Sequence, residues 1–359
     1  MNCPKCSHIN PKTAKFCSFC GALLIFPKRS FLAKHKGTII TVALVITFII
    51  LPIFALYNFV NSISSEIEKS EKEDAVISGS GKDKIALINI DGIIVEAEPQ
   101  RSLGSVTENV TTARGIKKIL KKVDADENVK AVLLRVNSPG GSAVASEEIY
   151  RDLLDFKKKS GKKVVAYFSD TAASGAYYIS MAADEIVANP STITGSIGVI
   201  ISYLNFKDIA EKYGVKNIVY KSGAHKDIIS EFRDPTDEEK AIIQGIIADT
   251  YDNFVQAVSA GRTLPEDQVR ELADGRIYSA KQAVELKLVD KTGTLEDAID
   301  STMVLSGLEK ASVIEFGQPD FFDLFLGSIG GKFNFSLLPN FQSYFASQPG
   351  IKVLYLYTP

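Results

Sequence analysis

The feature that most limits what this chain can fold into is an uncharged, mostly apolar run at residues 38–60, TIITVALVITFIILPIFALYNFV. As a helix its 23 residues would extend about 35 Å, enough to cross the hydrocarbon core of a bilayer with some tilt. Pro52 would kink such a helix, which membrane helices tolerate. Lys28, Arg29, Lys34 and Lys36 precede the run, and the first charges after it are Glu66 and Glu68. That asymmetry predicts a single-pass anchor in the cell membrane, with the N-terminus cytoplasmic and the rest of the chain extracytoplasmic. A cleavable signal peptide is the competing reading. The region ahead of the run and the run itself are both too long for it.

The cysteines divide the chain in the same way. All 4 lie in the first 20 residues, as Cys3-Pro-Lys-Cys6 and Cys17-Ser-Phe-Cys20. The sequence beyond therefore offers no disulfide, cysteine nucleophile or thiolate metal site. Two C-x-x-C knuckles let four thiolates close a tetrahedron around Zn²⁺. Gly21 suits the tight turn after the second knuckle. A segment of this size cannot build a core without metal, so zinc binding and folding would be one event. The alternative is a pair of disulfides. A Cys₄ site also fits the reducing side of the membrane. Residues 1–24 are accordingly read as a small zinc ribbon, structural or partner-binding in role.

Residues 61–83 are polar, charged and rich in Gly and Ser, and read as a tether. From residue 84 short apolar runs alternate with helical patterns. Strands are expected at 85–90, 131–136, 163–168 and 185–188. Helices are expected at 110–123, 142–158, 173–183 and 236–260. This alternation predicts an α/β domain over 84–310 around a buried, largely parallel sheet. With 41 basic and 43 acidic residues and a net charge of −2, the chain lacks the basic balance of a nucleic-acid binder. The extension 311–359 is rich in Phe, Gly and Pro, with apolar runs too short to span a bilayer. Packing on the domain, a subunit interface and the membrane surface are its three options, the interface being favoured. A strand is expected at 351–357.

Two strand ends carry the chemistry. Asn137-Ser138-Pro139-Gly140-Gly141-Ser142 follows one strand and opens a helix, where backbone N–H groups are free to hold an oxyanion. Ser169 to Tyr178 follows another, and Ser174 stands there among Ala and Gly. Small neighbours leave its hydroxyl accessible, although this is not the G-x-S-x-G elbow. A nucleophilic serine needs a base. There are only 3 His. His8 falls in the zinc segment and His35 at the inner membrane edge, leaving His225 and its neighbour Lys226. A lysine serves as base when an apolar site keeps it neutral.

The stretches RVNSPGGS, AASGAYYISMAADEIVANPSTITGSIGV, KSGAHKDI and DGRIYSAKQAVELKLVDKTGTLEDAI occur in order over most of the soluble domain. Together they resemble the signal peptide peptidase SppA family, the S49 serine peptidases, in its short single-copy form. The resemblance implies a crotonase/ClpP-like fold. It implies Ser174 as nucleophile, Lys226 as general base and Ser196 as the serine that orients the lysine amine. Gly141 and, more weakly, Gly175 would supply oxyanion-hole N–H groups. It further implies peptide substrates, a homo-oligomeric ring in which serine and lysine meet across a subunit boundary, and no cofactor for catalysis. The zinc ribbon is an addition to the family plan.

A Ser174–His225 pair is the conventional alternative, with no carboxylate partner evident from spacing. Asp227 is adjacent in sequence, but neighbours on an extended strand face opposite ways. Two other classes remain open at this level. One is a silent membrane scaffold that binds peptides and uses the ribbon to recruit a partner. The other is an acyl-CoA enzyme of the crotonase type, which the charge asymmetry disfavours.

Overall fold

The computed structural model describes residues 1–24, 75–96, 110–317 and 354–356, together with Leu51, Ile53, Phe54, Tyr57 and Asn58. Most of the apolar run 38–60 and the first part of the expected tether lie outside the described residues. Among the described residues no helix is long and apolar enough to cross a membrane. The chain divides into two units, residues 1–69 and 70–359.

In the first unit the two knuckles are built alike. The Cys3 amide donates to the His8 carbonyl at 2.9 Å, and the Cys17 amide to the Ala22 carbonyl at 2.8 Å. Gly21 takes a φ of 66°, the left-handed conformation the sequence reserves it for. Asn10, almost fully buried, ties the knuckles together. It donates to Cys17 Sγ at 3.4 Å and accepts from the Ser18 amide at 2.9 Å.

The second unit runs β1 (Ala75–Gly79), β2 (Lys84–Val95), β3 (Val110–Thr112), α1 (Ala113–Ala125), β4 (Val129–Ser142), α2 (Ala143–Ser160), β5 (Lys163–Ala173), α3 (Gly175–Ser180), β6 (Glu185–Ala188), β7 (Ile193–Gly195), α4 (Lys207–Lys212), α5 (Asp237–Arg262), α6 (Glu266–Leu272), β8 (Ile277–Ser279), α7 (Ala280–Glu285), β9 (Lys291–Thr292), α8 (Leu295–Leu305), β10 (Ser312–Glu315) and β11 (Leu354–Leu356). The main sheet has the order β1-β10-β2-β4-β5-β6-β9. Every neighbouring pair from β10 to β9 is parallel; β1 closes one edge antiparallel to β10. Strands buried on both faces must read as continuous apolar runs, as ALINI and AVLLRV nearly do. Ile85, Leu87, Leu133 and Val165 face one layer with Ala298 of α8. Ala86, Ile88, Leu134 and Ala166 face the other, under α1, α2, α3 and α5.

Local chemistry starts the helices where the sequence signals them. Thr112 caps α1 and Ser142 caps α2, each side chain accepting from a backbone amide three residues on. Thr236 and Glu239 form a reciprocal capping box at the start of α5. Gly161 ends α2 in the left-handed region.

Four expectations need correction. The stretch read as a tether contains β1, because Ala75–Gly79 pairs with β10 and extends the sheet. Residues 110–112 are a strand beside the far end of β2, since β-branched Val-Thr-Thr suits a sheet edge better than a helix start. The segments read as strand-to-helix turns at 137–142 and 169–173 remain extended, as the ends of β4 and β5. The small-residue helix is therefore only Gly175–Ser180. The described part of the C-terminal extension takes one of the options open to it, packing on the domain as a strand within the expected 351–357. β11 lies antiparallel on β4, with Tyr355 opposite Gly141.

Leu134 is fully buried in the centre of the sheet. Leu134→Ala is expected to cost about 2–5 kcal/mol, measured by chemical denaturation of the soluble domain. A loss below about 1 kcal/mol would contradict this packing.

Candidate active site and zinc centre

The four sulfur atoms of Cys3, Cys6, Cys17 and Cys20 lie within 4.8 Å of one another. Cys3–Cys20 and Cys6–Cys17 are each 3.6 Å apart. Zn–S bonds of about 2.3 Å place the corners of a tetrahedron about 3.8 Å apart, so the donor set fits structural zinc. No disulfide joins these residues.

The second site forms where β4, β5 and β7 end together. β5 splits: Val165–Phe168 pairs with β6, then Thr171–Ala173 pairs with β7. Ser174 follows this second pairing. Its amide donates to the Gly195 carbonyl at 2.8 Å, and its carbonyl accepts from the Tyr178 amide at 2.9 Å. Held at both ends, Ser174 adopts φ 54° and ψ −117°, a sparsely populated conformation of the kind that collects at active sites. The residue is 1% exposed, and its Oγ has no hydrogen-bond partner among the described residues. A buried hydroxyl left unbonded is costly, which marks Ser174 as a group kept for an incoming partner.

The end of β4 lies against it. A Cβ built on Gly175 would stand 3.3 Å from the Gly141 nitrogen, and one on Gly140 would stand 2.6 Å from the Gly175 nitrogen. Gly140, Gly141 and Gly175 thus gather backbone amides at the start of α3, beside Ser174. Side chains are excluded here: a Cβ on Gly141 would collide with the Ile94 carbonyl of β2, and one on Gly175 with Ser146 Oγ. Amides fixed in this way are the elements of an oxyanion hole. Ser196 comes just after Gly195, is 8% exposed, and takes φ 50°. The structure therefore brings Ser174, Gly141, Gly175 and Ser196 into one neighbourhood.

It does not bring Lys226 to Ser174 by a hydrogen bond within the chain. Lys226 is exposed, on a turn between α4 and α5. This turn is not the extended strand expected from sequence. It is held instead by an ion network. Lys221 reaches Asp227 at 2.6 Å, and Arg233 reaches Asp227 at 2.8 Å and Glu239 at 2.6 Å. The hydrogen bonds from Arg233 hold Asp227 well below the usual carboxylate range, and they lower Glu239 to about 2. His225 has carboxylates nearby after all, Glu238 at 3.5 Å and Glu239 at 3.8 Å. Glu239 is already engaged by Arg233. Sequence reasoning missed this network because its members meet only when the turn folds back on the start of α5. It also missed the packing of Tyr355, whose only signal is the mostly apolar strand expected at 351–357.

Residues 156–309 match peptidase family S49, and residues 2–24 match the zinc-ribbon domain. A protein of Enterococcus faecium provisionally named signal peptide peptidase SppA is 42% identical over 244 residues, 68% of this chain and 70% of that protein. A provisionally named protease of Synechocystis sp. is 43% identical over 234 residues, 65% of this chain and 78% of the relative. Protease 4 of Haemophilus influenzae is 36% identical over 235 residues, 65% of this chain and 36% of its own length. The fold and site define a serine-type peptidase of family S49, with a ClpP-like fold. Within it, the chain belongs to the signal peptide peptidase SppA and protease 4 family, with a zinc ribbon at its N-terminus.

Two outcomes follow from this geometry. Gly140 has φ 96°, and a Cβ there would also stand 3.0 Å from the Ala173 carbonyl oxygen. Gly140→Ala is expected to lower peptidase turnover at least about 100-fold while the domain stays folded by circular dichroism. Unchanged turnover would contradict the cradle. Glu239 ionises more easily folded than unfolded, so the stability it contributes is present above its ordinary value of 4.5 and is lost as pH falls toward about 2. The thermal midpoint of the wild type is expected to fall more steeply across that interval than that of Glu239→Gln. Equal slopes would contradict the network.

Proposed function

We propose that this chain is a membrane-anchored serine endopeptidase in which Ser174 is the nucleophile and Lys226 the general base. The observation that carries this reading is Ser174 itself: strained, buried, without a partner for Oγ among the described residues, and set beside converging glycine amides. A peptide carbonyl would lie with its oxygen toward the amides of Gly141 and Gly175. Lys226 would take the hydroxyl proton while Oγ attacks the carbonyl carbon. The C–N bond then breaks, the leaving amine receives that proton, and water hydrolyses the acyl ester. Ser196 would orient the lysine amine.

Two features support completion of the site between copies of the chain. Ser174 Oγ has no partner within its own chain among the described residues. The segment that carries Lys226 exposes Leu204, Ile209, Tyr213, Ile218 and Tyr220, an apolar surface suited to a neighbouring subunit. Anchoring is supported by the run 38–60. Leu51, Ile53, Phe54 and Tyr57 within it are helical, each more than half exposed. With the basic flank inside, the peptidase domain would face the outer side of the membrane. Peptides left at or near the membrane, such as signal-peptide remnants, are then its substrates.

Ser174→Ala and Lys226→Ala are each expected to lose at least about 1,000-fold in peptidase activity while remaining assembled. Mixed assemblies of the two inactive variants are expected to regain activity, because one copy supplies the serine and its neighbour the lysine. Full activity of Lys226→Ala would refute the dyad. Loss of turnover in His225→Ala alone, with Lys226→Ala active, would transfer the base to the histidine.

A further inference from the structure

The zinc ribbon wears large apolar side chains on its outside. Ile9, Phe16, Phe19 and Leu23 are 75%, 60%, 76% and 57% exposed. Phe16 and Leu23 stand opposite each other on an antiparallel bridge, so their side chains lie on the same side of it. The Phe19 ring stacks on His8 of the other knuckle, with centroids 5.5 Å apart. The ribbon's own core is Cys3, Cys17 and Leu24, and none of the four exposed residues belongs to it. Several large apolar side chains left outside so small a unit mark a contact surface.

The charge on this segment has one sign. Lys5, Lys12 and Lys15 are exposed, and residues 1–24 hold no Asp or Glu. Four thiolates around one Zn²⁺ would carry two negative charges, which the three lysines outnumber. Lys28, Arg29, Lys34 and Lys36 follow, and the first acidic side chain is Glu66, beyond the run 38–60. Lysines mixed with exposed Phe and Leu are the chemistry of a membrane interface. The apolar side chains enter the headgroup boundary, and the ammonium groups meet anionic phosphates.

Connectivity selects the partner. Residues 25–37 link the ribbon to the apolar run, and 13 residues reach at most about 45 Å when fully extended. An anchor at 38–60 therefore holds the ribbon beside one leaflet at high effective concentration. Contacts worth about fivefold per lysine then suffice.

We propose that the zinc ribbon docks on the anionic phospholipid surface of the cytoplasmic leaflet, with Phe16, Phe19 and Leu23 entering the headgroup region and Lys5, Lys12 and Lys15 pairing with its phosphates. The inference goes beyond the peptidase reading and rests on the anchor proposed for residues 38–60. Zinc would hold the two knuckles in the shape that presents these side chains.

The chain contains no Trp, so Phe19→Trp places a single fluorescent reporter on this surface. The test uses the full-length, zinc-loaded variant in vesicles of phosphatidylcholine alone, or of equal parts phosphatidylcholine and phosphatidylglycerol, with brominated acyl chains as quenchers. In the mixed vesicles the emission is expected to shift to the blue. Quenching is expected to be at least about threefold stronger there than in phosphatidylcholine alone. About 1 M salt, or Lys5→Gln, Lys12→Gln and Lys15→Gln together, is expected to return it to the phosphatidylcholine level. Phe16→Trp is expected to behave alike, and replaces the first variant if that one releases its zinc. Emission typical of water, unquenched in both compositions by a variant holding one zinc per chain, overturns the proposal. Quenching equal in both compositions and indifferent to salt and to the lysines also overturns it, because headgroup charge would then play no part. The anchor is scored separately. A chain that stays with the vesicles in about 1 M salt keeps the anchor whatever the reporter shows, whereas a chain that leaves them removes the reading on which the inference rests.

Discussion

The site depends on how closely backbones approach one another at the end of β4. Gly141 lies so near Ile94 of β2 that a single methyl group would meet the Ile94 carbonyl oxygen. Gly140 and Gly175 are pressed together in the same way. This crowding lets β4 continue past the body of the sheet and bring its amides to the start of α3. Ser174 is the residue where β5 must turn into that helix. Its unusual backbone angles follow from being tied to Gly195 on one side and Tyr178 on the other. The same packing therefore produces both the strained Ser174 backbone and the cluster of amides beside it.

Much of this is legible from residue order. The apolar runs of β2, β4, β5 and β6 announce a sheet buried on both faces. Ser142, Thr236 and Gly161 mark helix ends by chemistry that acts within one turn. The Cys₄ pattern is equally local, since two knuckles bring sulfurs into reach of one ion with little help from the rest of the chain. The Pro-Gly-Gly stretch and Ser174 are visible as candidates for a related reason: small residues at strand ends leave room for a substrate.

Other features depend on contacts between distant segments. A glycine-rich turn and a glycine-rich strand end look alike in sequence, and only pairing with β2 and β11 makes residues 140–142 extended. β1 is indistinguishable from a tether until β10 offers it an edge. Arg233, Asp227 and Glu239 are ordinary surface charges in sequence, and become a brace for the Lys226 turn only through folding. Tyr355 is one aromatic residue in an aromatic-rich tail until β11 docks it against Tyr178 and Phe254. A partner outside the chain is less legible still. The proposed base stands on an exposed turn, and the hydroxyl it would serve is buried without a partner among the described residues.

That separation makes one measurement decisive: a structure of the assembled enzyme with a covalent serine inhibitor bound. The expected result is an adduct on Ser174 Oγ, its oxygen held by the amides of Gly141 and Gly175, with Lys226 Nζ from one of the copies within hydrogen-bond reach of Oγ. An adduct on another residue, or no Lys226 from any copy within reach of Ser174, would contradict the account.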